Sequence, residues 1–101
     1  MKIPKKLRVG GIEYDVEVGY KFNERADRSG HSDFENHEIK ICDSGLNGKK
    51  FSQEHIEDIF IHEMLHCIDQ RYNAGELEEE TISRLANGLY QVLKENNLLK
   101  Q

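Results

Sequence analysis

The sequence predicts a single α+β domain, with a small twisted sheet of three to four strands in its first half and two packed helices in its second. Three observations carry that expectation. Apolar residues alternate at Ile12, Tyr14, Val16 and Val18, and again at Ile39 and Ile41, which is the period of a half-buried strand. Beyond Ser52 the period changes to three and four, as on one face of a helix. The 101 residues contain one proline, no repeat and no low-complexity stretch, so nothing separates two folded units and the domain spans residues 1–101.

Taken in order, Leu7 and Val9, then Gly10-Gly11, then Ile12 to Val18 read as two strands joined by a tight glycine turn. Tyr20 to Asn36 is polar and charged, a loop longer than the ~12–15 residues that structureless connections usually reach, with room for a further strand near Tyr20 to Phe22. Glu38 to Cys42 reads as a short strand at the edge of the sheet. Ser52 can cap a helix, and Phe51 before it can pack on Ile56 as a hydrophobic staple. That helix runs from Gln53 to about Tyr72 and is closed by Asn73-Ala74-Gly75. Its middle, Ile59 to Ile68, is apolar almost all the way round, as in a buried helix. The last helix spans about Leu77 to Asn96, with Ile82, Leu85, Ala86, Leu89, Val92 and Leu93 facing the core and Leu98 to Gln101 as a tail.

Composition excludes several functions. The mean hydropathy is −0.76 and no apolar run approaches the ~20 residues that cross a bilayer, so no membrane span is expected. Met1 to Arg8 is not followed by the apolar stretch of a secretory signal, and Cys42 and Cys67 read as small hydrophobic thiols that suit a reducing compartment, which together suggest a cytoplasmic protein. The net charge is −5, and the basic residues fall mainly at Lys2, Lys5, Lys6 and Arg8, which argues against a nucleic-acid surface.

The chemistry sits in His62-Glu63-Met64-Leu65-His66, which matches H-E-x-x-H. Histidines four apart lie one turn above each other on a helix, so both imidazoles can reach one ion. Glu63 beside them can take a proton from an activated water as general base. Chance alone gives such a match in roughly 3% of chains of this composition, a false-positive risk to be weighed. Burial of His, Glu and His on an apolar helix adds weight, because unpaired polar groups there cost about 1–3 kcal/mol each and a divalent cation compensates all three. The bland alternative is a helix with satisfied core histidines.

A catalytic zinc takes three protein ligands and leaves a position open. A histidine-rich continuation is absent: Asp69 and Tyr72 stand where glycine and histidine are needed, and no histidine follows His66. The third ligand must then be acidic, and the run Glu76-Leu77-Glu78-Glu79-Glu80 supplies it. Glu79 stands three before Ile82 and seven before Ala86, which puts it on the inward face; Glu80 is the alternative and Glu78 stands behind it. Asp69 reads as a supporting or capping residue, and Ser83 as a support for a ligated histidine.

On these residues the sequence resembles the gluzincins, zinc peptidases with H-E-x-x-H and a glutamate on a following helix. The likeness is to their smallest members, the minigluzincins and short phage and prokaryotic metallopeptidase-like proteins, and more broadly to the ImmA/IrrE peptidases. It runs through Gly11-Ile12-Glu13-Tyr14, Glu38-Ile39-Lys40-Ile41, His62 to His66, and Glu79-Glu80-Thr81-Ile82 with Leu85-Ala86-Asn87-Gly88-Leu89, although only the metal motif is specific. Larger gluzincins often carry Asp or Asn where Ser83 stands.

The resemblance implies a zincin-like fold and a zinc-dependent peptidase with His62, His66 and Glu79 on the metal and Glu63 as base. It implies a peptide or protein substrate lying extended along the edge strand, and an oxyanion donor for which Tyr72, Tyr90, His31 and His37 are candidates. In some minigluzincins the C-terminal segment plugs the cleft, a role open here to Leu98 to Gln101. The competing readings are a catalytically silent, zinc-stabilised protein-binding module and a metal-free packing of the helix.

Overall fold

A computed structural model describes residues 1–22 and 29–99. Four strands, β1 (Lys6–Val9), β2 (Ile12–Val18), β3 (Gly30–Asp33) and β4 (Glu38–Ile41), precede two helices, α1 (Gln53–Tyr72) and α2 (Glu79–Glu95). The sheet order is β1-β2-β4-β3. An α+β architecture is therefore what the chain adopts, with a mixed sheet.

The first hairpin forms as its glycines require. Gly10 and Gly11 have φ of 59° and 85°, so both central residues are left-handed, as in the two-residue turn that matches strand twist. The turn sets Val9 opposite Ile12 and Leu7 opposite Tyr14. Tyr14 is buried, and Ile12 and Val16 pack against the core from partly buried positions, whereas Val18 is exposed. The turn is also tied to the helical layer, because the Arg71 side chain crosses Gly10 and its Nε donates to the Gly10 carbonyl at 2.8 Å.

Two features of the sheet differ from the sequence reading. The strand Glu38–Ile41 is not at the edge: β4 pairs parallel with β2 on one side and antiparallel with β3 on the other. Its alternation reflects this interior place, since Ile39 and Ile41 are fully buried under the helices. The edge strand beside β4 is β3, inside the stretch expected to be a loop, while Tyr20 to Phe22 is not a strand. A turn built on Asp33 joins β3 to β4. Its Oδ1 accepts from the backbone N–H groups of Glu35 and Asn36 at 3.0 and 2.9 Å, and these bonds hold the Asp33 carboxyl below its usual range. His37 closes the turn with φ of 55°. Residues 23–28 of the expected loop lie outside the described residues.

Ser52 caps α1 by accepting from the His55 N–H at 3.1 Å. The helix lies between sheet and α2, with Phe60, Ile61 and Cys67 buried. Burial pushes the Cys67 thiol up to about 11, and both cysteines are buried. The two helices run antiparallel, since the start of α2 meets His62 and His66 while Tyr90, further along, reaches back to donate to Glu57 Oε1 at 2.8 Å. On α2 only Ile82, Ala86 and Tyr90 are buried, with Leu93 partly so. Leu85, Leu89 and Val92 are exposed, contrary to expectation. The reason is geometric: among the described residues α2 has one neighbouring element, α1, and a helix packed on a single partner buries a narrower stripe than its apolar residues would allow. Among the described residues, no helix is long and apolar enough to cross a membrane.

Candidate metal centre

The end of α1 decides which glutamate meets the histidines. Asp69 is buried in the last turn of α1, where its Oδ1 accepts from the Asn73 side chain at 2.9 Å and from the Leu77 N–H at 3.2 Å in the connection to α2. Its carbonyl also accepts from the N–H groups of Asn73 and Gly75, and the left-handed backbone at Ala74 and Gly75 turns the chain. Asp69 thus takes a capping role, one of the two its sequence position suggested. The outcome is that α2 begins at Glu79, two residues later than the expected Leu77, with Glu78 at its N-cap.

From that first position Glu79 meets both imidazoles. His62 Nε2 lies 2.7 Å from Glu79 Oε1, and His66 Nε2 lies 2.7 Å from Oε2. The two rings are 5.0 Å apart, and one donor atom from each of the three residues falls within 4.8 Å of the others. Glu80 points elsewhere, forming an ion pair with Arg84, and Ser83 is exposed. Two neutral imidazole nitrogens and a carboxylate are a donor set that suits zinc, copper or another first-row ion, so the residues fit a metal.

The histidines and Glu79 open onto a cleft of about 680 Å³ whose walls include Gly30, His31, Ser32, Asp58, Ile59 and Glu63. His62 and His66 are half-buried on its wall rather than sealed in the core. Glu63 is the buried member, 5% exposed, and a side chain compensates it: the Ser32 hydroxyl donates to Glu63 Oε1 at 2.7 Å. Glu63 therefore needs no ion to relieve its burial, contrary to the expectation that a cation compensates all three residues. Among the described residues, no buried side-chain polar atom lacks a hydrogen bond.

The candidate oxyanion donors separate cleanly. His31 lines the cleft. Tyr90 does not: it is buried against Glu57, and burial with that carboxylate raises its hydroxyl to about 12. Tyr72 is exposed at the end of α1, and His37 sits edge-on to Tyr14 at the β3–β4 turn. Leu99 packs on the hydrophobic core and Leu98 is exposed. Neither lines the cleft, and Lys100 and Gln101 of the suggested plug lie outside the described residues.

No family model matches the chain, and no curated protein or solved structure is significantly similar to it.

What sequence reasoning missed is the far wall. Gly30 and Ser32 alternate on β3 and so share the face turned to α1. A Cβ on Gly30 would stand 2.8 Å from both Glu63 Oε2 and Ile59 Cγ2, so a side chain has no room there. The available signal was the turn chemistry of Asp33-Phe34-Glu35-Asn36-His37, which marks a hairpin and hence a strand before it.

Proposed function

We propose that this chain is a small zinc metallopeptidase in which His62, His66 and Glu79 hold the ion and Glu63 is the general base. The observation that carries the reading is the convergence of both imidazoles on Glu79 at 2.7 Å, on the wall of a cleft that Glu63 also lines. Three protein ligands leave a zinc coordination position open. When bound, the ion supplies Lewis acidity, polarising a scissile carbonyl and acidifying a water towards neutral pH.

The protein's own residues do the rest. Glu63 takes a proton from the attacking water and passes it to the leaving amine. His31 is the cleft residue suited to donate to the developing oxyanion. The substrate is a peptide lying extended along β3, the edge strand beside the cleft, where the sheet can accept one more strand. This replaces the strand Glu38–Ile41, whose two sides are both paired.

The Ser32–Glu63 hydrogen bond favours a second reading, a zinc-stabilised binding module without turnover, because it gives Glu63 a structural duty. One experiment separates the two. Metal content per chain is measured by mass spectrometry on protein purified without chelator or metal-affinity step, beside His62→Ala. Cleavage of a mixed peptide library is measured beside Glu63→Gln. About one zinc per chain, lost in His62→Ala, with cleavage abolished in Glu63→Gln while zinc is kept, supports the peptidase. Zinc without cleavage supports the module. No zinc in either protein overturns both.

A further inference from the structure

We propose that Ser32 is a positioning residue for Glu63, and that Gly30 and Ser32 form a cradle fixing the carboxylate in one orientation; this rests on the peptidase reading above. Ser32 is buried on β3, and its hydroxyl has a single proton, with Glu63 Oε1 at 2.7 Å and the Glu63 carbonyl at 3.2 Å as oxygen acceptors and the Cys67 thiol also in hydrogen-bond reach. A hydroxyl favours the charged and nearer acceptor, and such bonds are the short, strong ones. The proton therefore goes to the carboxylate.

The other carboxylate oxygen is fixed by shape. Glu63 Oε2 lies against the α-carbon of Gly30, close enough that a Cβ there would stand 2.8 Å away. One oxygen is thus held by a hydrogen bond and the other by a wall, from two residues on one face of one strand. A glutamate has three rotatable side-chain bonds and loses considerable rotamer freedom when ordered. Here that ordering is supplied before any substrate binds.

The consequence for catalysis is specific. A general base must stand within hydrogen-bond reach of the proton it abstracts, and a displacement of about 1 Å can cost on the order of a hundredfold in rate. The side-chain hydrogen bonds of Ser32 go to Glu63 and Cys67 rather than to His62, His66 or Glu79, so its loss should spare zinc binding. It acts on turnover through Glu63.

The test uses zinc-loaded wild type, Ser32→Ala and Ser32→Thr. Zinc per chain is measured on each, together with kcat and KM on a quenched-fluorescence peptide that the wild type cleaves, and a crystal structure of zinc-loaded Ser32→Ala. The expected result is equal zinc in all three. In Ser32→Ala, kcat falls by about ten- to a hundredfold with KM changed less than about twofold, Ser32→Thr recovers most of kcat, and the Glu63 carboxylate leaves its wild-type position in the crystal. Unchanged kcat in Ser32→Ala, or an unmoved carboxylate, overturns the proposal while leaving the peptidase reading in place. Loss of zinc in Ser32→Ala assigns it a merely structural role and also overturns it. A wild type that cleaves nothing overturns the peptidase reading, and the proposal with it.

Discussion

Replacing Gly30 by alanine tests the contact on which the site's geometry depends. Gly30 has no left-handed backbone conformation, so alanine meets no strain of φ there, and its smaller unfolded-state entropy alone would stabilise the protein by about 0.4–1 kcal/mol. Against that stands the methyl group, 2.8 Å from Ile59 Cγ2, 2.8 Å from Glu63 Oε2 and 3.1 Å from Glu63 Cγ. None of these atoms yields easily. Ile59 Cγ2 is a branch on a buried, stiff side chain, and the Glu63 carboxylate is held at its other oxygen by Ser32. Overpacking of this kind costs about 1–3 kcal/mol, which exceeds the entropic gain, so a net loss of about 1–2 kcal/mol follows. The loss is to be read as a lower urea midpoint at unchanged slope, beside zinc content and peptide turnover. Zinc binding should persist, because Gly30 lies against Glu63 rather than the histidines, and turnover should fall. An alanine variant as stable as the wild type would refute the claim that α1 leaves no room for a side chain at this residue.

Three further outcomes follow from the same structure. Gly88 lies on the exposed side of α2 and a Cβ there meets nothing within 4 Å, so Gly88→Ala should stabilise the protein by about 0.8–1 kcal/mol in urea unfolding without altering the cleft; no gain would mean that α2 is not helical there. A ligand bound only by the folded state stabilises it by about 2.7 kcal/mol at a free concentration of 100 times Kd, so excess zinc should raise Tm, EDTA should reverse the rise, and His62→Ala should abolish it; equal Tm under all conditions would sink the metal site. Burial raises the Glu57 carboxyl, but hydrogen bonds from Tyr90, the N-terminal ammonium and Gln53 outweigh it and hold Glu57 below 4.5. Its contribution is therefore complete above about pH 4.5 and is lost as pH falls through the lower folded value. Tyr90→Phe removes one bond to this buried charge at a cost of about 1.5–3 kcal/mol near pH 7, and the penalty should shrink on acidification; a penalty equally large at pH 3 and pH 7 would contradict the assignment.

The parts of this fold legible in the sequence are those where a local rule and the tertiary structure agree. Gly10-Gly11 set the first hairpin because two successive left-handed residues leave few other turns. Ser52 capped α1 where its hydroxyl could accept an orphaned N–H. Helical phase placed Glu79 rather than Glu80 towards the histidines, because a residue three before the buried Ile82 and seven before the buried Ala86 shares their face. The same periodicity overreached for Leu85, Leu89 and Val92. Period shows which residues can share an apolar face, while the number of neighbouring elements decides how much of that face is covered.

The strand that completes the site was hidden for a different reason. Gly-His-Ser-Asp has no β-branched or aromatic residue, and nothing in its own propensity favours an extended chain. It is a strand because β4 offers it a partner edge, with Ser32 opposite Ile39 and Gly30 opposite Ile41. The same pairing explains why β4 was misread as an edge, since recognising neither neighbour makes a short strand look terminal. The features that make β3 hard to see are those the site requires of it. A β-branched residue at position 30 would favour the strand and collide with Glu63, and an apolar one at position 32 would suit the buried face and leave the Glu63 carboxylate without its donor. The cost of such an unmet buried charge exceeds the differences in strand propensity, which span about 1 kcal/mol in all. At these two positions the demands of the glutamate therefore outweigh those of the sheet.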